Sequence, residues 1–456
     1  MAGIRCPPPP GLAETLAEWQ ALALPPGSVV VASLPSGANI PYLGEVFARL
    51  GLVPAFVAPS LPSPRLLAIV EDLGARALVR LHMTPDLTAS LDLSGMQRSS
   101  ADFDIALVRT HPAPAVVQPG DLVLMTSGTS SEFPNGCVHS LCALCRNVRR
   151  HARAIGLQSH DRVLIKLPLY YSFALVAQAL AATQVGASVA IGSVPFSVKE
   201  FALELRRNAI TVTSLTPKFL QQIVDTPDRI LPSTLRTLTV GGDVVPVDTA
   251  RKLRQRYPEL EIYFTYGISE AGPRVTTLNA CRADDDALQT LGEPLEETEL
   301  QIAPDPESPG TGELFIHSDT LLKARIGRNA VDPIRVIDGK RWLMTGDLVS
   351  RDEAGRLSIT GRRSDFLMSQ GEKINLSAIK SFYQTIPGVL EARTRPPPAQ
   401  NQKPPYALEL LVDRSQTAAS DPEAVRRELV RNLRRFEQPA HLTITPVDPS
   451  QHFVIK

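Results

Sequence analysis

The chain is 456 residues long, 43% hydrophobic and 21% charged, with 47 Lys+Arg set against 47 Asp+Glu. That length exceeds what one core usually holds, so two or three domains are expected. The charge balance excludes a field suited to nucleic acid or an anionic membrane, and no run of about 18 apolar residues offers a membrane span.

The N-terminus has one arginine followed by prolines (Arg5 to Pro10), a poor signal peptide, and five cysteines, an odd number, fit a reducing compartment. A cytoplasmic globular protein is expected. From Gly27 the pattern turns α/β. Val29–Ala32 reads as a strand, Tyr42–Leu50 as a helix, Val53–Val57 as a strand, Pro62–Leu73 as a helix and Ala77–Val79 as a strand. Short strands alternating with helices of about ten residues predict a parallel sheet.

Asp121–Met125 is a further strand, and it runs into Thr126-Ser127-Gly128-Thr129-Ser130-Ser131 before a helical pattern beyond Gly136. Backbone amides and clustered hydroxyls between strand and helix suit phosphate oxygens, although a plain surface turn has the same composition. Within the pattern that follows, Cys137, His139, Cys142 and Cys145 have the look of a zinc site. Small core residues are the better reading.

The strand–helix rhythm resumes with a strand at Arg162–Lys166, a helix at Ala174–Gln184 and a strand at Ser188–Ile191. Phe173 to Gly192 is the most apolar stretch, but Gln178, Thr183 and Gln184 interrupt it, as in buried core. A helix at Val198–Asn208, a strand at Thr211–Ser214, a helix at Pro217–Asp225 and strands at Leu235–Val240 and Glu261–Phe264 follow. After Leu291, the segments Glu299–Ile302, Glu313–Ile316 and Arg341–Met344 read as antiparallel strands of a β-barrel-like subdomain. Asp421-Pro422-Glu423 starts a helix whose apolar stripe is Val425, Leu429, Leu433 and Phe436.

Several ordered segments carry a resemblance. Thr126–Gly136 resembles the signature loop of the adenylate-forming ligases (acyl-CoA synthetases, luciferase-like enzymes and adenylation domains), with Asn135 where that family has lysine. Pro168-Leu169-Tyr170-Tyr171-Ser172-Phe173 resembles the segment that opens the family's acyl pocket. Gly241-Gly242-Asp243, Tyr266-Gly267-Ile268-Ser269-Glu270, Thr345-Gly346-Asp347-Leu348, Gly361-Arg362-Arg363-Ser364-Asp365 and Gly371-Glu372-Lys373-Ile374 match later motifs in order. The resemblance spans about residues 25 to 380.

It implies a large N-terminal domain, residues 1–363, of two α/β subdomains plus the β-barrel-like part. A small mobile α+β lid, residues 364–456, would hinge near Ser364. It also implies ATP-dependent activation of a carboxylic acid to acyl-AMP, then transfer to the thiol of CoA or of a carrier-protein phosphopantetheine. ATP and AMP would be held by Thr126, Ser127, Gly128, Thr129, Ser130, Gly241, Gly242, Asp243, Tyr266, Gly267, Ser269, Asp347, Arg362 and Lys373. Glu270 would hold Mg²⁺, and Arg362 and Lys456 would act in catalysis, Lys456 standing in for a lysine of the family's C-terminal motif that is otherwise missing.

Tyr170, Tyr171, Ser172, Phe173, Leu215 and Val275 would line the acid's pocket. Without an aspartate near Ser172 to hold an ammonium, a fatty or aryl acid is expected rather than an amino acid. Arg426, Arg427, Arg431, Arg434 and Arg435 form a solvated helix face or a dock for CoA phosphates or an acyl carrier protein. The alternative reading is a degenerate homologue that binds an acyl or nucleotide ligand without turnover. A dinucleotide-binding oxidoreductase is disfavoured because no G-x-G-x-x-G follows an early strand.

Overall fold

The computed structural model describes residues 11–99, 102–126, 135–192, 196–305, 308–328, 330–363, 366–369, 372–384, 386–395, 406–414 and 438–447. Ser127, Gly128, Thr129, Ser130, Ser364, Lys456 and the helix expected from Asp421 lie outside the described residues.

Two compact units are present. The first comprises residues 1–301, 315–345 and 351–358, and the second residues 302–314, 346–350 and 359–456. The first unit holds two large sheets. One is built on β1 (Val29–Ser33), β2 (Val53–Phe56), β3 (Ala77–Arg80), β4 (Leu93–Arg98), β5 (Asp104–Val108), β6 (Asp121–Met125) and β7 (Gly136–Ser140). Its order runs Ala324–Ile326, β7, β6, β2, β1, β3, β5, β4. The centre is parallel: β1 pairs with β2 and β3, and β2 with β6. All five residues of β1 are buried, as expected of a strand covered on both faces. The edges are antiparallel, through β5 and β4 on one side and β7 with Ala324–Ile326 on the other.

The second sheet comprises β8 (Arg162–Ile165), β9 (Ser188–Ile191), β10 (Val212–Leu215), β11 (Thr237–Gly241), β12 (Glu261–Gly267), β13 (Arg274–Asn279) and the short β14 (Glu293–Pro294). Its order is β14, β13, β12, β11, β10, β8, β9, parallel from β12 to β9 and antiparallel at β13 and β14. The α/β expectation and its parallel pairing therefore hold.

Two local readings are corrected. The residues after Gly136 form β7, a strand antiparallel to β6, with Met125 opposite Gly136. The helix begins only at Leu141, where the Ser140 Oγ accepts the Ala143 N–H at 3.2 Å, and runs to Ala154. The helix expected over Ala174–Gln184 is not uniform: Ser172–Ala174 and Ala181–Val185 are α-helical, while Leu175–Leu180 between them is a π-helix. Gln178 lies in that wider turn with both side-chain amide atoms buried and without a partner among the described residues.

The second unit has its own core. Helix Leu376–Gln384 and strands Val389–Arg395 and Ala407–Asp413 bury Ile374, Ile379, Tyr383, Tyr406, Leu408, Leu410 and Val412 together. His441–Val447 adds a parallel third strand. Among the described residues, no helix is long and apolar enough to cross a membrane.

Candidate active site

β11 and β12 are parallel neighbours, with Val240 opposite Phe264 and Gly241 opposite Thr265, so their carboxyl ends lie side by side. In open parallel sheets that edge is where functional loops gather. Gly241 is required there: a Cβ would fall 2.5 Å from Thr265 Oγ1 and 2.8 Å from its carbonyl oxygen. A side chain at Gly267 would collide with the Pro273 carbonyl. Gly242 and Asp243 are exposed beyond the strand, and Asp243 Oδ1 accepts the Val244 N–H at 2.8 Å. At the end of β12 the register against β13 slips, from Tyr266 opposite Thr276 to Gly267 opposite Arg274. Such a bulge re-aims side chains at a strand end.

The next turn, Ser269–Ala271, is held from several directions. Its Ser269 Oγ lies 2.9 Å from Ser172 Oγ, and the Ser269 carbonyl accepts a hydrogen bond from His139 Nε2 at 2.8 Å. Leu322 N–H donates to the Glu270 carbonyl at 2.9 Å. The Glu270 carboxylate pairs with Arg325 at 2.5 Å, their side chains being 14% and 22% exposed respectively. Cys137, directly opposite Arg325 in the strand pairing, is fully buried, and its thiol is pushed well up by burial and then by the Glu270 charge. Burial lowers the His139 imidazole to about 4, so it is the neutral ring that donates to Ser269.

Thr126 and Asn135 bracket the Ser/Thr/Gly segment. Thr126 N–H donates to the Asn135 carbonyl at 2.9 Å, and Asn135 N–H to Thr126 Oγ1 at 3.2 Å. The Asn135 side chain faces Gly327, where a Cβ would stand 3.0 Å from Oδ1.

The Tyr170–Phe173 segment is anchored by the Leu169 N–H, which donates to Ser36 Oγ at 2.9 Å. The rings of Tyr170 and Tyr171 pack 4.8 Å apart, and burial followed by the Tyr171 neighbour raises Tyr170 to about 12. Phe173 lies 4.1 Å beneath the guanidinium of Arg274. Leu215, at the end of β10, and Val275, on β13, are fully buried in the second sheet. The Asn147 side chain grips the start of β13, its Nδ2 donating to the Arg274 carbonyl at 2.7 Å and its Oδ1 accepting the Arg274 N–H at 3.0 Å.

In the second unit, buried Asp347 pairs with Arg362 at 2.7 Å. Lys373 lies opposite Met368 in an antiparallel two-stranded ribbon. The cysteine–histidine cluster is not on one helix: Cys137 and His139 lie on β7, Cys142 and Cys145 on the helix after it. Among the described residues, no group of three or more His, Cys, Asp or Glu is placed to hold a metal ion. Arg325 and Arg274 were missed in sequence. Arg325 follows no motif, and Arg274 shows only as a lone cation opening the strand Arg274–Asn279.

Open sheets with parallel centres and glycine-bearing strand ends define an α/β protein of the kind that holds ligands at the carboxyl ends of its strands. Residues 12–324 match the family described as AMP-binding enzyme, and the chain belongs to that family. It is 28% identical over 277 residues to a 2-succinylbenzoate–CoA ligase of Bacillus licheniformis, covering 59% of this chain and 55% of that protein. It is 30% identical over 289 residues to a Mycobacterium tuberculosis 3-[(3aS,4S,7aS)-7a-methyl-1,5-dioxo-octahydro-1H-inden-4-yl]propanoyl:CoA ligase, covering 61% of this chain and 54% of that one. The chain thus spans about half the length of the curated relatives it matches. Its fold is that of the Bacillus subtilis O-succinylbenzoate coenzyme A synthetase solved with AMP, at a TM-score of 0.74 and 21% identity over 96% of this chain and 89% of that one.

Proposed function

We propose that the chain activates a carboxylic acid with ATP, forming acyl-AMP and pyrophosphate, and passes the acyl group to the thiol of coenzyme A with release of AMP. The observation that carries this reading is the Ser172–Ser269 contact at 2.9 Å, which joins the acyl-pocket segment to the Tyr266–Glu270 motif. A site for that reaction must hold acid and nucleotide side by side, because proximity supplies much of the rate.

In this reading Tyr266 stacks on adenine, the Gly241–Gly242 turn lets the adenylate approach backbone, and Thr126 with its loop receives phosphate oxygens. Asp347 and Arg362 are assigned to the ribose, Lys373 to the nucleotide and Lys456 to the acid and α-phosphate. Residues 364–456 are proposed as the lid, turning near Ser364. A magnesium ion carried on a triphosphate needs only one or two protein carboxylates, so the single carboxylate of Glu270 fits it, provided Arg325 yields its place. Bound there, the ion supplies neutralisation of phosphate charge. Tyr170, Tyr171, Phe173, Leu215 and Val275 favour an acid with an alkyl or aryl body. A carrier-protein phosphopantetheine presents the same thiol as coenzyme A.

The test is pyrophosphate release with ATP and Mg²⁺ across a panel of alkyl and aryl acids. Release with at least one acid, and thioester formation on adding coenzyme A, is the expected outcome. ATP binding without release for any acid would favour the second reading, a homologue that binds but does not turn over. The capture of Glu270 by Arg325, together with Asn135 at the lysine position, is what favours that alternative.

A further inference from the structure

Three Lys or Arg side chains are buried among the described residues: Arg150, Lys166 and Arg274. Two have carboxylate partners. Arg150 pairs with Asp319 at 2.6 Å and with Glu297, and Lys166 pairs with Glu204 at 2.8 Å. Arg274 is the exception. It is 4% exposed and forms no ion pair among the described residues, and of its five N–H donors one is engaged, Nη1 donating to Thr265 Oγ1 at 2.6 Å. Its Nε is buried without a partner among the described residues, while one face of the guanidinium is covered by Phe173. Desolvation lowers its pKa to about 9.

A desolvated cation with open donors is costly unless an anion completes it, and the fold supplies anions for its other two. The location narrows what that anion is. Arg274 lies between Phe173, in the acyl-pocket segment, and Gly241, where a Cβ would come within 3.1 Å of Nη1. The guanidinium with the unmet donors therefore lies against Phe173, the aromatic ring expected to pack on the acid's body.

We propose that Arg274 receives a second acidic group of the acyl substrate, which makes the substrate a dicarboxylic acid: one carboxylate is activated and the far one docks on this guanidinium, with the carbon body along Phe173. The planar fork of arginine suits a carboxylate bidentately, and a site built around it discriminates strongly against an analogue lacking that group. This deepens the acid-activation reading and rests on it for the placement of the pocket.

The experiment compares matched acids on the full chain, octanoate against octanedioate and phenylbutanoate against its ring-carboxylated counterpart, reading kcat/KM for pyrophosphate release. Wild type should favour the diacid of a pair by about 100-fold. Arg274→Gln should lower kcat/KM for that diacid about 100-fold and for the monoacid less than about threefold, with Arg274→Lys keeping part of the preference. Equal or better use of monoacids by wild type overturns the proposal. So does an equal loss for both acids, or a rise in KM for ATP shared by every acid, which would assign Arg274 to a nucleotide phosphate. If Arg274→Gln does not fold, the wild-type ratio and its reduction in Arg274→Lys decide. If no acid releases pyrophosphate, the activation reading falls, and thermal shift then judges Arg274 alone. Stabilisation of wild type by a diacid but not by its monoacid, lost in Arg274→Lys, upholds the anion site, and its absence overturns it.

Discussion

In the proposed reading the Glu270 carboxylate is claimed by both Arg325 and Mg²⁺, and Arg325→Met separates the two. The ion pair at 2.5 Å is largely shielded, with the glutamate 14% and the arginine 22% exposed. A hydrogen bond to a charged group contributes about 1.5–3 kcal/mol, and the residual exposure discounts this to about 1–2 kcal/mol. Removing the arginine should therefore lower the Tm of the nucleotide-free protein by about 2–5 °C. The same change frees the carboxylate, so the Mg²⁺ concentration that half-saturates ATP binding should fall, by up to about 5- to 30-fold if the whole pair energy opposes the metal. Calorimetric titration of ATP at a series of Mg²⁺ concentrations reads the midpoint, and thermal unfolding reads the stability. Stability and metal affinity are thus expected to move in opposite directions. A midpoint that stays put or rises would refute competition at Glu270. A loss of ATP affinity at every Mg²⁺ level would instead make Arg325 the cation that replaces the lysine absent at Asn135.

The remaining predictions use simpler readouts. His139 and His151 are buried neutral, desolvation holding them at about 4 and about 3, below an unfolded value near 6.5. Because the unfolded chain takes up protons first, stability is full above pH 6.5 and is lost as pH falls toward those values, by roughly 2 kcal/mol per histidine by pH 5. Urea midpoints between pH 7 and pH 5 should show the decline, and His151→Leu should flatten it. Gly241→Ala would press a methyl onto Thr265, lowering stability by roughly 2–4 kcal/mol in urea unfolding; a cost below about 0.5 kcal/mol would contradict that packing. Cys142 is exposed and should react with a thiol reagent well before buried Cys137, with no stoichiometric zinc by elemental analysis.

Strand–helix alternation made the parallel centre of both sheets legible, because buried parallel strands such as Val29–Ser33 are continuous apolar runs that composition alone exposes. The antiparallel edges were less so. No element is expected from sequence at Leu93–Arg98, where Ser94, Gly95 and Gln97 break the apolar pattern, although its burial in the fold alternates as in an edge strand. The residues Cys137–Ser140 read as part of the following helix because they carry no periodicity of their own. Their strand character comes from pairing with β6 on one side and, from far along the chain, with Ala324–Ile326 on the other. The π-turn at Leu175–Leu180 has a similar cause: α and π share nearly the same apolar spacing over six residues.

The motif residues were legible because their chemistry repeats at fixed spacing, but the partners of those residues were not. Tyr266 and Glu270 stand out as Tyr-Gly-x-Ser-Glu, whereas the groups that set their state are Arg325, 55 positions away from Glu270, and His139, 130 away from Ser269. A motif names the atoms that face a ligand. What those atoms can do depends on competing contacts that only the fold brings together. The two arginines make the difference concrete. Arg325 is a cation with a carboxylate already in hand, so the magnesium ion proposed for Glu270 would have to displace it. Arg274 is a buried cation with none among the described residues, so its unmet donors make it a receptor rather than a brace. Neither distinction can be drawn from the residue type, since both are arginines that open or centre short strands. It follows from counting, for each buried charge, which opposite charge the chain itself provides.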